Sequence, residues 1–222
     1  MTTTTSTSMT TTTTSTTTTT STTTTTSMTT TTSNGPFAIV VGDFNQDNIL
    51  DIAAAIELSA NVAILFGRGN GSFAGLMTFT VGTNPYGITS GDFNNDSRLD
   101  LAVTNFDSNS VGILLGYGNG TFASQMTFST GSGTNPHSVA VADFNSDNKL
   151  DIVVANYGGS GSISVLLGYG NGSFATAIRL SAGSQPYTIT TGDFNGDSRP
   201  DIAVANAGTP SVGIFLNTCS CC

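Results

Sequence analysis

The sequence is poor in the residues on which most enzymes and nucleic-acid-binding proteins depend. Its 222 residues include one histidine, His137, five lysine or arginine residues and no tryptophan. Three of the five basic residues lie inside acidic segments, which argues against a basic surface for nucleic acid. A single histidine cannot supply a Ser-His-Asp or Cys-His arrangement in each repeat of a repeated chain. The sequence therefore predicts neither an enzyme nor a nucleic-acid-binding protein.

Cysteines and long apolar runs are also scarce. All three cysteines, Cys219, Cys221 and Cys222, lie in the last four residues, so no disulfide can join distant parts of the chain. No apolar run reaches the roughly 18 residues of a membrane span, and no apolar segment of a signal peptide follows Met1. We therefore expect no membrane span in this chain. An exported protein would need a signal outside this sequence, which is then a piece of a longer one.

The first 33 residues contain only threonine, serine and methionine, a composition that cannot bury a core. We predict a low-complexity stalk or linker over residues 1–34, whose hydroxyls would accept O-linked glycans in a secreted protein. A spacer with no further role is the alternative. Residues 35–217 are predicted to form the folded domain, and residues 218–222 a cysteine-rich tail.

A nine-residue acidic segment dominates what remains. It occurs four times, and its first aspartates, Asp43, Asp92, Asp143 and Asp193, are 49, 51 and 50 residues apart. The four segments hold 12 of the 14 acidic residues. Four bound divalent cations would contribute +8 against a formal net charge of −9. This distribution predicts a charge that serves metal sites and not a general acidic surface.

Each acidic segment lies between short β-branched runs. A proline-led run precedes it, two further runs follow it, and in three copies an Asn-Gly turn leads to a fourth run. Four short strands in about 50 residues are typical of the blades of a β-propeller. We predict an all-β propeller of four-stranded antiparallel blades at approximately residues 35–83, 84–134, 135–184 and 185–217. The last repeat lacks its fourth strand, which the chain before Pro36 or a larger ring of blades could supply.

The alternation of oxygen-bearing residues in the segments is typical of calcium loops. Positions 1, 3, 5 and 9 carry carboxylate or amide oxygens, and position 7 offers a backbone carbonyl, so each loop is predicted to hold one Ca²⁺ and the chain up to four. Nitrogen and sulfur ligands are absent, which disfavours zinc. The predicted ligands are Asp43, Asn45, Asp47, Ile49 and Asp51; Asp92, Asn94, Asp96, Arg98 and Asp100; Asp143, Asn145, Asp147, Lys149 and Asp151; and Asp193, Asn195, Asp197, Arg199 and Asp201.

Two other types of loop share this acidic character. An EF-hand requires a glutamate at position 12, where this chain has Ala54 and three valines, so the EF-hand is excluded. Acidic Asx turns that need no ion are the second alternative, although three carboxylates in nine residues repel one another without a cation. Position 6 is serine in the second and fourth loops, where we expect more backbone strain than with asparagine.

The four in-phase loops and their flanking strands resemble FG-GAP/VCBS repeats, the calcium-binding blades of integrin α-chain propellers. The resemblance covers about residues 36–217, although the Phe-Gly pair itself survives only as Phe66-Gly67. It implies a β-propeller that holds calcium in the loop between the first and second strands of each blade. It also implies an extracellular or cell-surface, integrin-like module for adhesion.

From these observations we expect a non-enzymatic calcium-binding propeller for extracellular adhesion or ligand binding, with a protein or glycan partner. Calcium loops of extracellular modules bind at about 0.1 to 1 mM, a concentration reached outside cells. The alternatives are a lectin-like propeller, in which Tyr117 and Tyr169 would stack on sugars, and an accessory propeller of a larger secreted enzyme. Sequons at Asn70, Asn95, Asn119 and Asn171 are compatible with a glycoprotein.

Overall fold

The computed structural model of the chain describes residues 35–218. The predicted Thr/Ser stalk, any strand contributed before Pro36 and the three cysteines lie outside the described residues. Within residues 35–218 the structure is built of β-strands, and its helical content is limited to one short 3₁₀ turn, Glu57–Ser59.

Fifteen strands form four antiparallel sheets, which we call blades 1 to 4. In every blade the strands lie side by side in chain order, and the fourth blade has three strands within the described residues. The strands are β1 Pro36–Gly42, β2 Asp51–Ile56, β3 Asn61–Gly67 and β4 Phe73–Thr80; β5 Pro85–Gly91, β6 Asp100–Asn105, β7 Ser110–Leu114 and β8 Met126–Ser129; β9 Pro136–Ala142, β10 Asp151–Asn156, β11 Ser162–Leu166 and β12 Ile178–Ser181; β13 Pro186–Gly192, β14 Asp201–Asn206 and β15 Ser211–Phe215.

The first strands of the blades lie next to one another. Strand β1 contacts β5, β5 contacts β9 and β9 contacts β13, so successive blades share an inner edge and stack face to face. This arrangement confirms the predicted all-β propeller of four-stranded blades with an incomplete last blade.

The core lies between the blades. One face of blade 1, which includes Val62 and Ile64, packs against Leu101, Val103 and Leu114 of blade 2. Corresponding clusters join blade 2 to blade 3 and blade 3 to blade 4. Because a middle blade is covered on both faces, its second strand is buried at every residue, as in β6 and β10. Apolar residues on both faces of these strands are therefore required, and the Leu-Ala-Val and Ile-Val-Val runs supply them.

The turns after the third strands differ from the prediction. A tight Asn-Gly hairpin turn is favoured because both residues tolerate positive φ, but in blade 1 the positive angles belong to Gly69 and Gly71. Asn70 instead accepts hydrogen bonds at its side-chain oxygen from the backbone N–H and the hydroxyl of Ser72. The same pattern occurs at Asn119 and Asn171. The asparagines therefore stabilise these turns through their side chains.

Candidate metal centres in the four acidic loops

The four acidic segments form equivalent loops that join the first and second strands of their blades. Each loop curls because two of its residues adopt left-handed φ angles of about 60° to 80°. One is position 6, as expected, where Ser97 and Ser198 share this conformation with the asparagines of the other two loops. The other is position 4, which sequence reasoning missed: it is occupied by Gln46, Asn95, Ser146 and Gly196. Only the glycine adopts this conformation without steric strain.

The curl turns side-chain oxygens at positions 1, 3 and 5 toward the loop backbone. Asp43 accepts hydrogen bonds from the backbone N–H groups of Asp47 and Asn48, at 3.1 and 2.7 Å. Asn45 accepts from the N–H of Asp47, and Asp47 accepts from the N–H of Ile49. The other three loops repeat this network. The predicted ligands at these positions thus share one exposed loop.

The aspartate at position 9 has a structural role that sequence reasoning missed. Asp51 is completely buried, and its two carboxylate oxygens accept the backbone N–H groups of Phe44 and Gly67, at 3.0 and 2.8 Å. Asp100, Asp151 and Asp201 make the same pair of bonds, with N–O distances between 2.7 and 2.9 Å. Each therefore fastens its loop to the end of the third strand of the same blade.

The loop carboxylates also interact electrostatically. Burial raises the pKa of Asp100 to about 6, although the N–H groups of Gly116 and Phe93 lower it, and the negative charges of Asp96 and Asp92 raise it further. The pKa values of Asp51 and Asp151 are raised by the same causes. Three carboxylates in each of these loops are thus close enough to disfavour one another's ionisation, which a bound cation would relieve.

The side chain at position 7 separates the first loop from the others. Arg98, Lys149 and Arg199 fold back onto the position-5 aspartates of their loops, at 3.6, 3.3 and 2.6 Å. The hydrogen bond from Arg199 lowers the pKa of Asp197. In the first loop this position is Ile49, which brings no positive charge to its carboxylates.

Residues 35–218 contain no cluster of three or more histidine, cysteine, aspartate or glutamate side chains gathered as a metal site. The structure places positions 1, 3, 5 and 7 in each exposed loop, but the position-9 carboxylate lies beneath the loop, engaged with backbone N–H groups. Its oxygens keep further lone pairs. The donor set, made of carboxylate, amide and carbonyl oxygens only, fits the chemistry of a calcium ion. Calcium coordination by all five positions stays a prediction.

The loops of blades 1, 2 and 3 are also supported by the blade that follows. The N–H of Gly120 in blade 2 donates to the carbonyl of Phe44 in the first loop, and the N–H of Gly172 donates to Phe93 in the second, both at 2.9 Å. In the third loop the side-chain amide of Asn217 donates to Phe144 at 2.8 Å. The position-2 phenylalanines pack accordingly. Phe44 and Phe93 are buried between blades, whereas Phe194 in the fourth loop is 49% exposed.

A second cluster of functional residue types is aromatic. His137 is buried among Phe37, Tyr86, Tyr157 and Tyr187, and its Nδ1–H donates to the carbonyl of Tyr187 at 2.8 Å. His137 therefore packs as one member of an aromatic cluster. Tyr117 and Tyr169, in contrast, are exposed at the turns that follow the third strands. No helix of the described part of the chain is long and apolar enough to cross a membrane.

Solved structures with a similar fold include proteins of different kinds. The chain is similar to BBS1N crystallised in complex with ARL6DN, with a TM-score of 0.55 and 18% identity, covering 82% of this chain and 56% of that one. It is similar to an Agrocybe aegerita lectin described as recognising non-reducing terminal N-acetylglucosamine, with a TM-score of 0.55 and 20% identity over 80% of this chain and 51% of the lectin. A Lactobacillus plantarum protein matches with a TM-score of 0.56, 14% identity and coverages of 82% and 56%.

The chain spans about half the length of these structures, and at such identities the likeness concerns the fold alone. No curated protein matches the sequence significantly. The model of the FG-GAP-like repeat, however, matches three overlapping segments, residues 51–103, 92–154 and 143–204. Each match begins at the first or last aspartate of an acidic loop and ends in the second strand of a following blade. The chain therefore belongs to the family of FG-GAP-like repeat proteins.

Proposed function

We propose that this chain is a non-enzymatic calcium-binding propeller module that serves extracellular adhesion or ligand binding. The observation that carries the proposal is the fourfold repetition of one all-oxygen loop, in which the carboxylates of positions 1 and 5 lie in the loop and that of position 9 lies buried beneath it. A catalytic site would be needed once, whereas a structural metal site is useful in every blade. The family membership and the propeller fold support the same function.

In each loop the residues at positions 1, 3 and 5 would supply the ion's side-chain oxygens, position 7 its backbone carbonyl and position 9 a further carboxylate. A bound calcium ion supplies positive charge that offsets the repulsion among the carboxylates. Asp47, Asp96, Asp147 and Asp197 are the most informative members of the set. They are exposed enough to exchange a local hydrogen bond or a basic partner for an ion.

The extracellular setting follows from the affinity expected of such loops. Sites of this class in extracellular modules bind at about 0.1 to 1 mM and would be filled outside cells. The family likewise supports a location outside the cell. The partner would be a protein or a glycan, and the loops would stabilise the blades that present the recognition surface.

Thermal unfolding in calcium and in chelator tests the calcium proposal. At a free calcium concentration ten times the dissociation constant, binding to the folded state stabilises each site by about 1.4 kcal/mol. We expect the midpoint to rise in calcium and to rise much less in magnesium, which prefers a smaller octahedral site. An unchanged midpoint in calcium would contradict the proposal.

Calorimetric titration with matched variants counts the sites. Asp47→Asn should remove one binding event, because Asp47 lies in the first loop, which has no basic side chain at position 7. Asp107→Asn is the control, since Asp107 is one of two acidic residues outside the loops. Equal stoichiometry in the two variants would show that the first loop does not bind calcium.

Glycan binding is the second candidate, and the exposed rings of Tyr117 and Tyr169 favour it. Both stand at equivalent turns of blades 2 and 3, where an aromatic ring can stack on the apolar face of a sugar. A glycan array would reveal binding that falls in the Tyr117→Ala, Tyr169→Ala double variant. An array without a hit would remove this candidate and leave a protein partner or an accessory role beside a secreted catalytic domain.

A further inference from the structure

The two outermost blades each expose an apolar sheet face. The exit face of blade 4 carries Ala203, Ala205, Val212 and Ile214, from strands β14 and β15. The entry face of blade 1 borders an open apolar groove of about 290 Å³. Its lining includes the apolar side chains of Ile39, Ile52, Ala54, Ile56, Leu65 and Leu76, together with polar Ser59, Asn61 and Thr78. All named residues of both faces are uncharged.

The exit face of blade 4 repeats the faces that are buried inside the molecule. In β15, Val212 pairs with Ala205 and Ile214 pairs with Ala203, and the same register pairs Val62 with Ala55 and Ile64 with Ala53 in blade 1. Val62 and its equivalents Val111 and Ile163 are 0% exposed, whereas Val212 is 69% exposed. The face of blade 4 is therefore made to receive a following blade.

The entry face of blade 1 repeats the opposite side of each junction. Ile88 of blade 2 is 8% exposed because it packs against blade 1, and Val139 and Ile189 pack against blades 2 and 3 in the same way. Ile39, at the equivalent position of blade 1, is 61% exposed. The two outer faces thus carry the two complementary halves of the junction that already occurs three times within the chain.

One substitution indicates how the entry face of blade 1 differs from the internal ones. At the end of the second strand, blades 2, 3 and 4 carry a buried asparagine: Asn105, Asn156 and Asn206. Asn105 accepts the N–H of Gly82 in the linker between blades 1 and 2, at 2.9 Å, whereas the side-chain oxygens of Asn156 and Asn206 have no hydrogen-bond partner among the described residues. Blade 1 has Ile56 at this position. The entry face of blade 1 is therefore apolar here, where the internal entry faces carry a buried amide.

We propose that a second copy of this chain docks its exit face on the entry face of the first. Because the two faces are different, the interface is heterologous, and it closes into a ring where the rotation between copies permits and extends into a chain of copies where it does not. Two copies joined at both ends would form a ring of eight blades. The apolar residues of both faces would then be buried as their equivalents are at the internal junctions.

Blocked variants test this pairing by light scattering coupled to size-exclusion chromatography. Wild type is expected at the mass of two chains or more. Ile39→Asp and Val212→Asp each place a charge on one face, so each variant alone should run at the mass of one chain. An equimolar mixture should restore a species of two chains, because each variant keeps the face that the other has lost. Thr127→Asp, at an exposed position of the outer strand β8 of blade 2, should associate as wild type does.

A wild type that stays at the mass of one chain at every concentration would overturn the proposal. So would blocked variants that associate as wild type does, or a mixture that shows no species of two chains. Because Ile39 and Val212 are exposed in the single chain, both variants should keep its β circular dichroism, which checks their folding. The milder pair Ile39→Ser and Val212→Ser should weaken association without abolishing it. The masses are measured both in calcium and in chelator, so that association of the copies is tested separately from calcium binding to the loops.

Discussion

The middle blades and the outer blades carry nearly the same residues in very different surroundings. Ile113 in blade 2 is fully buried, while Ile214, at the equivalent position of blade 4, is half exposed. The pairing register around them is identical, since Ile113 faces Ala102 and Ile214 faces Ala203. The repeat pattern therefore determines the strands and their pairing register inside a blade, whereas the neighbouring blade determines which side chains are buried.

The acidic loops show the same division. The loops of blades 1, 2 and 3 each receive a hydrogen bond from the following blade at the carbonyl of their position-2 phenylalanine. The position-9 aspartate, in contrast, makes its two bonds within its own blade in all four copies. One substitution can therefore remove the contact between a loop and the following blade, and a different one can remove the bonds of the position-9 aspartate.

The largest expected effect concerns the position-2 phenylalanine. Phe93→Ala should lower the free energy of unfolding by about 3–5 kcal/mol, because it leaves a cavity beside Phe174. Phe194→Ala should lower it by about 1 kcal/mol or less, because that ring is half exposed. Urea denaturation of both variants in the Val212→Asp background, where pairing of copies is blocked, measures the contrast. Equal losses would show that Phe194 is buried in solution by something other than a second copy.

Neutralising the position-9 aspartate should lower the free energy of unfolding by a smaller amount. The loss should be equal in a middle blade and in an outer blade. In Asp100→Asn and Asp201→Asn the new amide can accept only one of the two N–H groups, and its NH₂ group faces the other. Leaving a buried donor unpaired costs about 1–3 kcal/mol. Urea denaturation in chelator measures this loss without any contribution from calcium.

Asp107→Asn, outside the loops, should be close to wild type in the same experiment. A loss at Asp100 but not at Asp201 would mean that the closure of the loop, like its outer packing, depends on the following blade.

The smallest expected effect is a pH dependence of stability that arises from His137, at the inner end of blade 3. Burial lowers the pKa of His137 below its ordinary value of 6.5, although the hydrogen bond to the Tyr187 carbonyl raises it. The unfolded chain then binds a proton that the folded chain does not. This contribution to stability is complete above pH 6.5 and is lost as pH falls through 6.5 toward the folded pKa.

His137→Phe, which places in blade 3 the residue found at the equivalent Phe37 of blade 1, should remove that part of the pH dependence. The ionisable groups around the ring are Tyr86, Tyr157 and Tyr187, with Glu57 beyond the hydroxyl of Tyr86, which donates to it at 2.9 Å. The pKa of Tyr86 is raised to about 12, chiefly by burial, so Tyr86 stays neutral in this range. Melting temperatures from pH 5 to 8 compare the variants, and parallel curves would exclude His137 as the cause.

Much of the fold was predictable because its signals are local. Proline-led β-branched runs, the recurring aspartates and the tight turns gave four strands per repeat and a last blade of three strands, all confirmed. The left-handed conformation at position 4 was not predicted, because only Asn95 and Gly196 favour it and Gln46 and Ser146 do not, so the four copies share no residue type that indicates it. The turn of Asn70 was misassigned because its side chain, and not a positive φ, stabilises the turn.

The sequence by itself determined the repeat, the strand order within each blade and the concentration of carboxylates in four loops, because spacing and alternation act over a few residues. Only the tertiary structure decided that Asp51 and its equivalents are buried beneath their loops, and that Val111 is core while Val212 is surface. These outcomes depend on which backbone N–H groups and which apolar faces lie opposite a side chain. Residues distant in sequence supply them at the three internal junctions, whereas the outer faces of blades 1 and 4 have no such neighbour among residues 35–218.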